Sequence, residues 1–203
     1  MPPSPIEPSG RRRRRAAAPA APDGGTVLEY YGIPLASERI VFVLDLSESM
    51  NRPARMGDRG GRTRLDLARE ELAKAIGGLD PRARFDVLFF NRGRIPWKRD
   101  LQPATPENRT AAIEFAERSL TAPGTAIYDA LEMALGLEGA DTVFLLTDGE
   151  PVGGRFVEEW DILREIARLD RTRRIRIHTI GVAKPAPLLR RLAEESGGTY
   201  VRP

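Results

Sequence analysis

Cysteine is absent from this chain of 203 residues, and histidine occurs only once. Without cysteine the protein cannot form disulfides, zinc ribbons or a thiol nucleophile. The absence fits a reducing compartment but does not establish one, because exported domains can also lack cysteine.

Long hydrophobic runs are also missing. No segment reaches the roughly 18 consecutive apolar residues that a membrane-spanning helix needs. The N-terminus lacks the charged-then-apolar order of a signal peptide, because the arginine run Arg11 to Arg15 is followed only by alanine and proline. We therefore expect no membrane span and, by default, a cytoplasmic location.

Excess positive charge is missing from most of the chain. The net charge of +3 is accounted for by residues 1–25, where five arginines face two acids. We predict that this Pro/Ala/Arg-rich segment is a disordered, solubilising tail and that residues 26–203 form one domain. Because the domain itself is neutral, nucleic acid is expected as a partner only if Arg11 to Arg15 hold phosphates.

Apolar runs alternate with amphipathic segments throughout the domain. Strands are predicted at 39–45, 84–90, 142–147, 174–182 and 199–202, with an antiparallel edge strand at 95–98. Helices are predicted at 65–76, after Pro106, from near Thr125, at 156–169 and at 188–195. Such alternation predicts an α/β fold with a doubly wound, mostly parallel six-stranded sheet and helices on both faces.

Two of the apolar runs end in an acid followed by small or turn-forming residues. Asp45 is followed by Ser47 and Ser49, and Asp148 closes the run 142–147. Ligands of doubly wound sheets bind beyond the carboxyl ends of the strands, where the winding reverses. If the two strands are neighbours there, the two carboxylates face each other and repel unless a cation lies between them. Oxygen ligands select Mg²⁺, Mn²⁺ or Ca²⁺ over zinc or copper, and Mg²⁺, which keeps waters and an open position for an external ligand, is favoured.

These residues resemble the metal-ion-dependent adhesion site of von Willebrand factor A (VWA) domains. Asp45-Leu-Ser47-Glu-Ser49 is similar to the Asp-x-Ser-x-Ser opening of that site, Gly124-Thr125 to its second element and Thr147-Asp148-Gly149 to its third. The resemblance extends from about Tyr31 to the C-terminus, and Tyr30-Tyr-Gly-Ile-Pro34 is similar to bacterial members.

The resemblance implies a role for each of these side chains. Ser47, Ser49 and Thr125 would contact the metal directly or through water, and Asp45 and Asp148 would balance its charge. Neutral hydroxyl ligands would leave the metal electron-poor, so that it takes an Asp or Glu carboxylate from a protein partner. A non-catalytic interaction module follows from the resemblance, and we expect the domain alone to be monomeric.

The same residues allow other interpretations. The two acids and Thr125 could be helix N-caps, either instead of binding metal or in addition to it. His178 lies inside an apolar strand and is predicted to be structural. A dinucleotide site or a P-loop would need glycines where acids follow the first strand. The runner-up functions are a Mg²⁺-dependent hydrolase or phosphotransfer enzyme and an RNA-associated protein that uses the arginine tail.

Glu48 departs from the commonest form of the motif, in which glycine lies between the two serines. We predict that its side chain points outward and adds negative charge around the metal. The opposite orientation would place it over the open coordination position, as an internal mimic of the partner carboxylate.

Overall fold

The computed structural model describes residues 28–54 and 61–203. The predicted tail, its arginine run and the domain boundary at residue 26 lie outside these residues. Five α-helices alternate with strands in the described part: α1 Arg64–Gly78, α2 Pro106–Arg118, α3 Ile127–Gly136, α4 Glu159–Leu169 and α5 Pro187–Ser196. The strands there are β1 Glu29–Tyr30, β2 Ile33–Pro34, β3 Arg39–Asp45, β4 Arg84–Phe90, β5 Arg94–Pro96, β6 Gln102–Pro103, β7 Thr142–Thr147, β8 Arg176–Gly181 and β9 Tyr200–Val201.

The main sheet has the strand order β5-β4-β3-β7-β8-β9 in the described residues. All pairs from β4 to β9 along this path are parallel, and β5 pairs antiparallel with β4. The predicted fold class is confirmed, but the sheet has seven strands in the described residues, not the predicted six. Two features were not predicted: β6, which also pairs antiparallel with β4, and a separate β1–β2 hairpin.

The sheet separates two apolar cores, one packed by α1 and α2 and the other by α3, α4 and α5. Strand β3 contributes to both, since Ile40 and Phe42 face the first core and Val41 and Val43 face the second. A strand buried on both faces reads as a continuous apolar run, which is why the sequence identified it. No helix in residues 28–54 and 61–203 is both long and apolar enough to cross a bilayer.

His178 is a packed residue of β8. Its ring stacks on Phe144 with centroids 4.8 Å apart, and Nδ1 accepts a hydrogen bond of 3.1 Å from the Thr199 N–H. Burial, with a smaller effect from Arg176, lowers the pKa of His178 to about 4. These contacts agree with the predicted structural role.

Asp86 is a buried carboxyl in the middle of β4. Its Oδ1 accepts hydrogen bonds from the N–H groups of Val87 and Lys98, at 2.8 and 3.1 Å, and its Oδ2 has no partner among the described residues. Burial raises the pKa of Asp86 from 3.8 to about 7. The folded protein therefore holds a proton on Asp86 over a pH range in which the unfolded chain has lost it.

We predict that Asp86→Asn stabilises the domain at pH 8 and that this gain shrinks at pH 5. The raised pKa contributes stability at low pH that is lost as the pH rises from 3.8 toward 7, because the ionised form is poorly paired. Relative stabilisation of the variant at pH 8 should be about 1–3 kcal/mol, measured by urea unfolding.

The matched control is Asp80→Asn. Hydrogen bonds from Arg82 lower the pKa of this exposed carboxyl to about 2, so its replacement should have the same effect at pH 5 and pH 8. A gain from Asp86→Asn that is equal at both pH values would contradict the raised pKa.

Candidate metal site

The candidate site lies where β3 and β7 end side by side. These strands are parallel neighbours, with Leu44 in register with Leu146. The chain goes from β3 to β4 on one side and later returns to β7 on the other, so the winding reverses between them. Asp45 ends β3 and Asp148 follows β7, so both predicted acids lie at the switch point.

The loop after β3 brings the two serines toward both acids. Ser47 precedes a short 3-10 helix, Glu48–Asn51, and its N–H donates to Asp45 Oδ1 at 2.6 Å. The hydroxyl oxygens of Ser47 and Ser49 are 3.0 Å apart, and the Ser49 hydroxyl donates to Asp148 Oδ1 at 2.6 Å. Four of the five predicted site residues therefore form one connected chain of contacts.

Thr125 is held at the same site by main-chain hydrogen bonds. Its N–H donates to the Val152 carbonyl at 2.8 Å, and its own carbonyl accepts from the Val152 N–H at 3.0 Å. Its hydroxyl oxygen is 3.9 Å from where a Cβ of Gly149 would be, an ordinary van der Waals distance. The alternative role of Thr125 as a helix cap is wrong, because Ala126 occupies the N-cap of α3.

Burial dominates the electrostatics of Asp45. It raises the pKa of Asp45 to about 6, although hydrogen bonds from Thr147 and Ser47 act in the opposite direction. The charge on Asp148 raises the pKa of Asp45 further. A cation at this point would offset the repulsion.

Arg64 also belongs to this site and was missed in the sequence. As the first residue of α1, after the Thr63 capping box, it forms an ion pair with Asp148 Oδ2. Its side chain is 19% exposed, and that of Asp148 is 0% exposed. One sequence signal could have indicated the role of Arg64. A cation in the first turn of a helix is destabilised by the positive end of the helix dipole, so a nearby carboxylate is expected to stabilise it.

The donor set fits a small, hard cation. Mg²⁺ binds oxygen at about 2.0–2.1 Å in an octahedron, which places neighbouring ligand oxygens about 2.8–3.0 Å apart. The hydroxyl oxygens of Ser47 and Ser49 share a hydrogen bond of 3.0 Å, so they are also spaced as neighbouring ligands of Mg²⁺ would be. Ca²⁺, with about 6–8 oxygen ligands in flexible geometry, accepts the same spacing. No group of three or more His, Cys, Asp or Glu able to hold a metal occurs in the described residues, and a metal at this point would need the hydroxyls as ligands.

A cavity of about 560 Å³ opens beside these side chains. It is lined by Ser49, Arg52, Arg64, Thr125, Asp148 and Lys184, among others. Val152, on its wall, is 63% exposed. Glu48 is exposed and forms no ion pair with another described residue, which agrees with an outward side chain; its effect on a metal stays a prediction.

Comparison with known sequences places the chain in a family. The sequence model of the von Willebrand factor type A domain matches residues 38–202. Inter-alpha-trypsin inhibitor heavy chain H4 of Homo sapiens is 32% identical over 147 residues, which are 65% of this chain and 15% of that protein. Von Willebrand factor A domain-containing protein 3A of Homo sapiens is 27% identical over 120 residues, 57% of this chain and 10% of that protein. The chain thus spans 15% or less of the length of these relatives.

Solved structures agree with that placement. The von Willebrand factor type A structure from Catenulispora acidiphila superposes with a TM-score of 0.67 at 26% identity, covering 84% of this chain and 39% of that one. The PilB minor pilin of Streptococcus sanguinis shares the fold, with a TM-score of 0.62 at 14% identity over 84% of this chain and 58% of that one. From the family match and the sheet order together, the chain belongs to the von Willebrand factor type A domain family.

Proposed function

We propose that this domain is a metal-dependent protein-interaction module. Mg²⁺ would be held by Ser47, Ser49 and Thr125, with Asp45 and Asp148 balancing its charge. The observation that carries the proposal is the pair of serine hydroxyls 3.0 Å apart, beside two buried acids at the switch point. VWA domains generally mediate protein–protein interactions and adhesion, which agrees with this function.

The chemistry of the ligands supports capture of a partner's carboxylate. Hydroxyl oxygens are neutral, so a divalent ion held mainly by them keeps a strong attraction for an anion. When bound, the metal would supply a Lewis-acidic point that an Asp or Glu carboxylate can occupy. The cavity beside Ser49 and Thr125 offers space for such a side chain, and Lys184 on its wall is already paired with Glu150 at 2.8 Å.

A catalytic function receives less support from the geometry. Among the described residues, His178 contacts Phe144 and Thr199, and no serine or threonine hydroxyl of the site pairs with a histidine. The Ser49 hydroxyl meets a carboxylate, that of Asp148, which is already paired with Arg64. Asp148 is thus poorly suited to act as a general base. The RNA-associated alternative depends on the arginine tail, outside the described residues.

The proposal predicts that partner capture requires both the metal and Ser47. The domain is used as bait in Mg²⁺, in EDTA, and as the Ser47→Ala variant, and the retained proteins are identified by mass spectrometry. We expect a partner to be held only by the wild type in Mg²⁺. Changing its contacting Asp or Glu to the amide should weaken binding by at least about tenfold, as for loss of a charged interfacial contact.

Ser37→Ala is the matched control, because Ser37 precedes β3 at the opposite end of the strand. This variant should retain the same proteins as the wild type. Equal retention by the wild type in Mg²⁺, the wild type in EDTA and the Ser47→Ala bait would contradict metal-dependent binding.

A further inference from the structure

The carboxylate of Asp148 already has a cationic partner. Its Oδ1 accepts from the Ser49 hydroxyl and its Oδ2 from the Arg64 guanidinium, and none of its side chain is exposed. Asp45 is also fully hydrogen-bonded, by the Ser47 N–H and the Thr147 hydroxyl. A divalent ion that enters here must therefore compete for Asp148 with an arginine of the same chain.

The surroundings of Arg64 make Asp148 its main source of stabilisation. The first turn of α1 carries the positive end of the helix dipole, which disfavours a cation at that position. The guanidinium Nε is buried and has no hydrogen-bond partner among the described residues. With both acids ionised, the single positive charge of Arg64 offsets half of their combined charge.

We infer that Arg64 is an internal cation whose ion pair with Asp148 lowers the metal affinity of the site. Binding of Mg²⁺ is then an exchange, in which the metal replaces the guanidinium as the counter-charge of Asp148. The inference rests on the proposed function, since it concerns the same metal. It also explains how two acids remain at one site without a divalent ion: the guanidinium keeps Asp148 paired.

A structural role for Arg64 makes the opposite prediction. If the guanidinium only orients Asp148 for the metal, its removal should weaken Mg²⁺ binding. If the guanidinium competes with the metal, its removal should strengthen Mg²⁺ binding. The variant lacks both a positive charge close to the metal and the ion pair that occupies Asp148. The sign of the change therefore separates the two roles.

The test measures Mg²⁺ binding by titration calorimetry on the wild type, Arg64→Gln and Arg52→Gln. Arg64→Gln should bind at least about tenfold more tightly, given the strength of charge interactions in a partly buried site. Without metal it should melt at a lower temperature than the wild type, because Asp148 loses its partner. Arg52→Gln removes the same charge from the exposed wall of the same cavity, and its affinity should stay within about threefold of the wild type.

A second measurement uses the wild-type protein and does not depend on how the variant folds. The NMR signal of the Arg64 Nε–H group should shift as Mg²⁺ saturates the site, and Ser47→Ala should abolish that shift. Unchanged or weaker Mg²⁺ binding by folded Arg64→Gln overturns the inference and leaves the proposed function intact. The same holds if the Arg64 Nε–H signal does not shift when Mg²⁺ binds. Absence of Mg²⁺ binding by the wild type overturns the proposed function and the inference with it.

Discussion

Saturating Mg²⁺ is expected to raise the melting temperature of the wild-type domain by roughly 5–10 °C. A ligand that binds only the folded state stabilises it by about 2.7 kcal/mol at a concentration 100 times its Kd. For a domain of this size, each kcal/mol shifts the melting temperature by about 2–4 °C. Differential scanning calorimetry with and without EDTA measures the effect, and a titration should give one metal per chain.

Ser47→Ala should abolish this response. The change removes one oxygen of the hydroxyl pair and leaves the Ser47 N–H bond to Asp45 in place, so the loop keeps its main support. Asp148→Asn should also weaken binding, because it removes a charge that balances the metal.

Glu48→Gly is the control within the same loop. Glu48 is exposed, so losing its charge should weaken Mg²⁺ affinity by less than about tenfold. Equal melting temperatures of the wild type with and without Mg²⁺ would contradict the proposed metal site. Loss of the far-UV helical signal in EDTA would contradict a second expectation, that the apolar cores fold without metal.

The position of the two acids could be predicted because it follows from long-range sheet rules. Buried parallel strands are continuous apolar runs, and Asp45 and Asp148 each end one of them. The switch-point rule then places both acids at one edge, provided that the strands are neighbours, which the structure shows. The prediction needed only the order of elements.

The contribution of Arg64 could not be predicted in the same way. It is separated from Asp148 by 84 positions, and a polar residue at a helix start usually faces solvent. Strand β6 and the β1–β2 hairpin were missed because each strand has only two residues, too few for an alternating pattern. In the hairpin, Tyr31 and Gly32 both take positive φ, at 53° and 75°. The similarity of this stretch to bacterial members stays a prediction.

Gly124→Ala is expected to damage both stability and the metal response. Gly124 has φ +98°, and a Cβ there would lie 3.0–3.1 Å from the backbone and Cβ of Arg92. The strain of an alanine at positive φ and its steric overlap with Arg92 should together lower the free energy of unfolding by about 2–4 kcal/mol. Because Thr125 follows directly, relief of the overlap would move its hydroxyl, and most of the Mg²⁺-induced rise in melting temperature should be lost.

Gly32→Ala separates backbone strain from the positioning of Thr125. Gly32 also has positive φ, +75°, but nothing lies within 4 Å of where its Cβ would be. This variant should lose only about 1–2 kcal/mol, the cost of the left-handed conformation, and keep the full response to Mg²⁺. If Gly124→Ala keeps the full response too, Thr125 does not hold the metal, and the site reduces to the two serines and two acids. Thr125 is held through its main chain: its N–H donates to Val152, and its carbonyl accepts from the N–H groups of Val152 and Ile127. A shift of Gly124 away from Arg92 would disturb these bonds and with them the position of the Thr125 hydroxyl.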